Sequence, residues 1–208
     1  MASGTKQRLI ETGLKRFYRD GFRNVGLDQI LSDVGISKTA FYKHFESKED
    51  LMMAVLEDRH VWMQQTFRQM VEERGGSNPE SQLRALFDVV ETFIESPDFQ
   101  GCIFINASIE FPLLHEPAHM AAAKSKASME EVVCEMATAA SACDPVALAQ
   151  ELCLIMEGAY VTRHVTGNRQ TTAIARRAAE AVISAHLKER DTARAFDDCG
   201  TIPTRERR

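Results

Sequence analysis

The chain has 208 residues, 44% of them hydrophobic, and a formal net charge of −5 at neutral pH. That much apolar material buries a core in one or two small domains and excludes a chain disordered throughout. No run approaches the roughly 20 consecutive apolar residues that cross a bilayer, which excludes a transmembrane helix.

In chain order, Met1 to Thr5 leads straight into a charged amphipathic segment with no apolar stretch, so no signal peptide is expected. Ile10, Leu14 and Phe17 space a first helix, and Leu27, Ile30, Leu31 and Val34 fall on one face of a short second one. Met52, Leu56, Met63, Phe67 and Met70 mark a long helix. Leu83, Leu86, Phe87, Val90, Phe93 and Ile94 mark another. Asp20-Gly21, Gly75 through Pro79, Ser96-Pro97-Asp98, Phe111-Pro112, Asp144-Pro145 and Gly167-Asn168 punctuate the pattern. No alternating run bounded by hairpin turns is present, so the expected fold class is all-α. The expected division is a head over residues 1–50, a body over 51–187 and a polar, disordered tail over 188–208 that contains Pro203. Charge is unevenly placed. Residues 1–50 hold nine Lys/Arg against seven Asp/Glu, whereas the remaining 158 hold 16 against 23. A basic head on an acidic body suits an oriented approach to a polyanion. The five cysteines, Cys102, Cys134, Cys143, Cys153 and Cys199, are odd in number, widely spaced and free of any C-x-x-C pair. That pattern points to reduced thiols in a cytoplasmic protein.

Within the head, Leu27 to Val34 makes about two helical turns and Gly35 stands where a left-handed C-terminal residue is needed. Ser37 is placed to cap a further helix of about two turns, with Phe41 and Phe45 as buried anchors at i and i+4. Ser47 is placed to cap the next helix, with Asp50 three positions on. Short helix, glycine turn, short helix is a helix-turn-helix. Its second helix presents Lys38, Thr39, Ala40, Tyr42, Lys43 and His44, a set with phosphate donors, base-edge donors and a methyl for thymine.

The run Gly35 to Leu51, GISKTAFYKHFESKEDL, resembles the TetR family of bacterial transcriptional regulators, as do Phe17, Gly21-Phe22 and Asp28-Gln29-Ile30 before it. The resemblance covers about residues 8 to 56. It implies an all-α homodimer that inserts the third helix of each subunit into the major groove of a palindromic operator, most often as a repressor released by a small effector. By position, Ser37, Lys38, Thr39, Ala40, Tyr42, Lys43 and His44 would meet the DNA, with Lys48 as a phosphate contact. Two positions depart from the family pattern. Gly26 replaces a capping Ser or Thr, leaving backbone N–H groups for a phosphate, and Ala40 stands where Thr is common.

In the body, Leu152-Cys153-Leu154-Ile155-Met156 is apolar on every face and must be covered on all sides. The next segment, about 170–187, is rich in alanine. Paired with their copies, these two helices would form a four-helix dimer interface. An effector cavity is expected to draw on Trp62, Phe87, Phe104, Asn106, Glu110, Phe111 and Tyr160. The argument is that polar Asn106 and Glu110 interrupt an apolar segment, where a carboxylate must be paired or used.

One string points elsewhere. His115-Glu116-Pro117-Ala118-His119 fits the H-E-x-x-H pattern of zinc hydrolases, in which two histidines share a helical face. Pro117 disfavours helix at Glu116 and is welcome in a first turn, so the helix is expected to begin at Pro117, with His115 and Glu116 outside it. The zinc hydrolase is therefore the weaker alternative. No phosphate loop, dinucleotide fingerprint or nucleophile elbow occurs, and no enzymatic activity, metal or cofactor is expected.

Overall fold

The computed structural model describes residues 4–197, with side chains through residue 187. Every regular element among the described residues is an α-helix. In order they are α1 (Thr5–Asp20), α2 (Leu27–Val34), α3 (Lys38–Phe41), α4 (Lys48–Gly75), α5 (Pro79–Ile94), α6 (Ile103–Glu110), α7 (Pro117–Ala139), α8 (Pro145–Thr166) and α9 (Thr171–Asp197). None is long and apolar enough to cross a membrane.

The helix starts follow from local chemistry. Ser47, Asn78 and Asp144 each accept a backbone N–H three residues on, from Asp50, Ser81 and Ala147 at 3.0 Å. Pro79 and Pro145 then occupy the first helical turn, where the missing N–H costs nothing. At the other end of the chain α9 runs on to Asp197, ten residues past the point where the sequence suggested a tail. The remainder of that expected tail lies outside the described residues.

Two cores form, joined by α4. The first gathers Leu9, Phe17, Phe22, Ile30, Phe41 and Phe45 with Leu51, Val55 and Leu56 from the start of α4. The second collects the far end of α4 (Phe67, Val71) with α5, α7, α8 and α9. At 28 residues, α4 is roughly 42 Å long, so it reaches from one core to the other without a break. The expected boundary at residue 50 falls in its first turn. Burial also reaches across: Ile103, Phe104 and Ala107 of α6 and Ala118 and Ala122 of α7 belong to the head core.

The segment expected to be apolar on every face divides its residues. Leu152, Cys153 and Met156 are buried, while Leu154 is 73% exposed. It lies on an outer apolar surface with Val161 and Val165 of α8 and Ile174 of α9. A shallow groove along the surface is floored by Gly158, Ala175 and Ala178.

Candidate functional site

The head is organised by its turn. Gly35 adopts φ 73° and ψ 41°, a left-handed conformation that costs glycine no side-chain clash. Its N–H reaches Leu31 O at 2.9 Å, and Ile36 N reaches the same carbonyl at 3.1 Å, closing α2. Ser37 then caps α3, its Oγ accepting the Ala40 N–H at 3.2 Å. The helical part of α3 is only four residues, shorter than the two turns expected. The chain continues in hydrogen-bonded turns, with His44 N to Phe41 O at 2.8 Å and Phe45 N to the same oxygen at 3.1 Å. These turns keep Phe41 and Phe45 on one side, fully buried with ring centroids 5.7 Å apart. Their burial stabilises the segment by roughly 2–3 kcal/mol apiece.

The opposite side holds the expected contact residues. Ser37, Lys38, Thr39, Tyr42, Lys43 and His44 are exposed, and Ala40 is half-buried. Tyr42 is 57% exposed, and its ring leans edge-on against Phe41. Lys38 pairs with Asp28 on α2 at 2.9 Å. Gly26 is the N-cap of α2, and the Gln29 side chain accepts its N–H at 2.8 Å. That bond occupies one of the backbone donors expected for phosphate. Lys48 also has work inside the fold. Its ammonium donates to Phe22 O and Val25 O, both at 2.9 Å, and so ties the α1–α2 connection to the start of α4. Arg16 on α1 makes a two-pronged pair with Asp33 on α2, at 2.5 and 2.9 Å. Arg19 and then Arg16 hold the Asp20 carboxyl down to about 2.

The body contains a cavity of about 170 Å³ between α1, α4, α5, α6, α7 and α8. Two of the seven residues expected to line it do so, Phe104 and Tyr160. The other five lie elsewhere. Phe87 is packed in the body core. Trp62 sits beside the cavity rather than on its wall, stacked under Arg59 with the guanidinium carbon 3.7 Å from the ring centre. Asn106 donates to Gln100 O at 3.0 Å and closes the turn before α6. Glu110 and Phe111 contact the α1–α2 connection instead. Three wall residues that sequence reading missed are Tyr18 of α1, Arg59 of α4 and Cys102. Burial pushes the Tyr18 and Tyr160 phenols up, so both stay neutral. Burial also pushes the Cys153 thiol up, to about 12.

Glu110 joins the body to the head. Its two carboxylate oxygens accept the backbone N–H groups of Phe22 and Arg23, at 2.9 and 2.8 Å. Arg23 Nε in turn donates to Glu110 O at 2.8 Å, and its guanidinium lies 4.8 Å from the Phe111 ring centre. Gly21 makes the approach possible. Its φ is +86°, and a Cβ there would stand 3.2 Å from Glu110 Oε1. The carboxylate in an apolar segment is thus paired, but with the head rather than with a ligand. A second joint forms at the other end of α6. The Tyr18 hydroxyl donates to Gly101 O at 2.7 Å and accepts the Gln100 N–H at 2.9 Å.

The H-E-P-A-H string behaves as its proline dictates. Pro117 is the first residue of α7 and Glu116 its N-cap, while His115 lies in the exposed connection before it. Glu116 Oε2 accepts the Leu113 N–H at 3.0 Å, and His119 Nδ1 lies 3.0 Å from Phe111 O. Among the described residues no three His, Cys, Asp or Glu side chains are grouped to hold a metal ion.

With the turn, its exposed face and the helical body in place, comparison with known proteins becomes decisive. Residues 9–55 match "Bacterial regulatory proteins, tetR family", and residues 79–179 match "Tetracyclin repressor-like, C-terminal domain". The chain belongs to the TetR family. A crystal structure of a TetR-family transcriptional regulator from Streptomyces coelicolor superposes with a TM-score of 0.78 at 26% identity, covering 88% of this chain and 96% of that one. The reduced form of Escherichia coli NemR superposes at 0.77 and 20% identity, covering 85% and 95%. By sequence, the transcriptional repressor DhaR of Mycobacterium sp. (strain GP1) is 32% identical over 53% of this chain and 54% of its own. AcuR of Cereibacter sphaeroides, a transcriptional regulator, is 27% identical over 77% and 76%. The chain spans between a third and about half of the length of the first curated relatives it matches.

Proposed function

We propose that this TetR-family protein is a dimeric transcriptional repressor that binds a palindromic operator and releases it when a small molecule enters the body. The observation that carries this reading is the placement of α6. The N-terminal end of that helix, Ile103 and Phe104, lines the cavity, while Glu110 at its C-terminal end grips the head turn. A ligand that displaces α6 therefore acts on the position of α3. DhaR and NemR are both named repressors, which favours repression over activation.

In this reading α3 enters the major groove. Lys38, Thr39, Ala40 and Lys43 approach base edges, and Ser37, Tyr42 and His44 approach phosphates together with backbone groups near Gly26. Lys48 orients the first turn of α4 for a phosphate while its side chain braces the head. The exposed apolar surface of α8 and α9 supports the dimer, since copies of Leu154, Val161, Val165 and Ile174 would cover one another. A DNA-bound regulator of this kind works in the cytoplasm.

Selection of bound sequences from a random duplex library tests the function. It should return a palindrome with half-sites about one helical turn apart, bound with an affinity that falls steeply with salt. Recovery of sequences without a shared half-site would refute it.

A further inference from the structure

The cavity carries a chemical signature of its own. Arg59 lines it from α4, is shielded from water enough for burial to lower its pKa, and makes no hydrogen bond or ion pair among the described residues. Its face is stacked on Trp62, which leaves its N–H edges without acceptors. A shielded cation without a counter-ion is costly and is kept where it is used. Tyr160 lines the same space, and its hydroxyl makes no hydrogen bond among the described residues. Arg59 and Tyr160 also lie close enough for each to influence the other's charge.

The other charged groups of the wall and the Tyr18 hydroxyl are already paired or stand in water, while the buried Ser125 hydroxyl is a further polar group on it. The Tyr18 hydroxyl both donates and accepts. Lys126 pairs with Glu157 at 3.3 Å, so the two charges cancel. Asp98 is exposed, where solvent screens it. Most of the rest of the wall is apolar, including Met63, Phe67, Phe93, Met129 and Met156. The volume is below the roughly 300 Å³ at which sites for drug-sized ligands begin.

The structure assigns to this cavity a small amphipathic carboxylate, its head group on the Arg59 fork and the Tyr160 hydroxyl, and its apolar part among the Met and Phe side chains. This deepens the effector reading above and rests on it. A planar guanidinium matches a carboxylate with two parallel hydrogen bonds, and a neutral phenol adds a third.

The chain supplies its own reporter, because Trp62 is the only tryptophan and Arg59 lies on its ring. Full-length protein titrated with benzoate and hexanoate should show saturable changes in tryptophan fluorescence and a rise in melting temperature. Hexanol and hexylamine should do neither. Arg59→Gln should weaken benzoate by about tenfold or more, and Tyr160→Phe by about threefold, as charge-assisted and neutral hydrogen bonds usually do. Arg59→Lys should recover only part of the loss, since an ammonium lacks the fork. Operator binding without ligand should be unchanged in all three. Equal binding of hexanol and hexanoate, or undiminished benzoate binding by Arg59→Gln, would overturn the carboxylate assignment. Operator release by a neutral compound would overturn it too while leaving the repressor reading intact. Loss of operator binding by the wild-type protein would count against the repressor instead.

Discussion

The head and the body of this protein are held together by different kinds of interaction. The reading segment of the head, though not the core beneath it, is shaped by contacts between residues close in sequence: a Ser cap three residues from its donor, a glycine one step past a helix, two phenylalanines one turn apart. Its working face is then free to be polar, because Phe41 and Phe45 anchor it from the buried side. The body is built from contacts between residues far apart, and its cavity draws on six helices. Like α4 and α7, α6 answers to both. One of its ends walls the cavity, and the other supplies the carboxylate that holds the α1–α2 turn. Binding and response are thereby separated: the face that would touch DNA is stabilised locally, and its position is set remotely.

That contrast can be broken experimentally, and the largest effect is expected on the head face. Tyr42→Ala with Lys43→Ala should lower operator affinity by about a hundredfold, at roughly 1–3 kcal/mol per contact, with a melting temperature lowered only slightly, because both side chains are exposed and only the edge contact of Tyr42 with Phe41 is lost. A parallel loss of stability would show that the face is not independent of its support. Glu110→Ala should cost about 2 kcal/mol of unfolding free energy in a denaturant titration, the worth of charged hydrogen bonds to two backbone donors that are then left bare. It should also blunt ligand-driven operator release. Unchanged stability and response together would remove Glu110 from the joint. Lys48→Met should cost about 1–2 kcal/mol, since two carbonyls lose a charged donor. If Lys48 served only as a phosphate contact, stability would stay level and only DNA binding would fall.

The smallest effect concerns acid. The Asp20 carboxyl is held below its ordinary 3.8, at about 2, by Arg19 and Arg16, and Asp33 is also lowered by Arg16. A lowered folded-state pKa contributes stability above the unfolded value, and that contribution is lost as pH falls through the folded one. Melting temperature should therefore drop between about pH 4 and pH 2, slightly and less steeply in Arg16→Gln. An identical profile in the variant would assign the acid response to other groups.

How far the sequence could be read follows the same division. Gly35, Ser37, Ser47, Phe41 and Phe45 were legible because each rule spans four residues or fewer. The length of α3 was not, since an i, i+4 pair of phenylalanines is satisfied equally by a second helical turn and by the hydrogen-bonded turns that occur. In the body, Phe104 and Tyr160 could be picked out as aromatics at helical spacing, but so could Phe87 and Trp62, which do not line the cavity. Glu110 was singled out for a sound reason, that a carboxylate among apolar residues needs a partner. Its partners are backbone N–H groups 87 and 88 residues earlier, which no local pattern announces. Arg59 was invisible for the opposite reason. It lies in the run Glu57-Asp58-Arg59-His60, which reads as a solvated helix face, and only the tertiary arrangement turns it inward.

In the proposed mechanism, occupancy of the cavity is transmitted through α6 to the DNA-binding face. The most direct measurement is the operator dissociation constant at increasing benzoate, with occupancy followed by Trp62 fluorescence in the same samples. Operator affinity should fall by about tenfold or more as the cavity fills, and Glu110→Gln should fill equally but lose most of the response. Operator affinity that stays constant while the fluorescence saturates would contradict it.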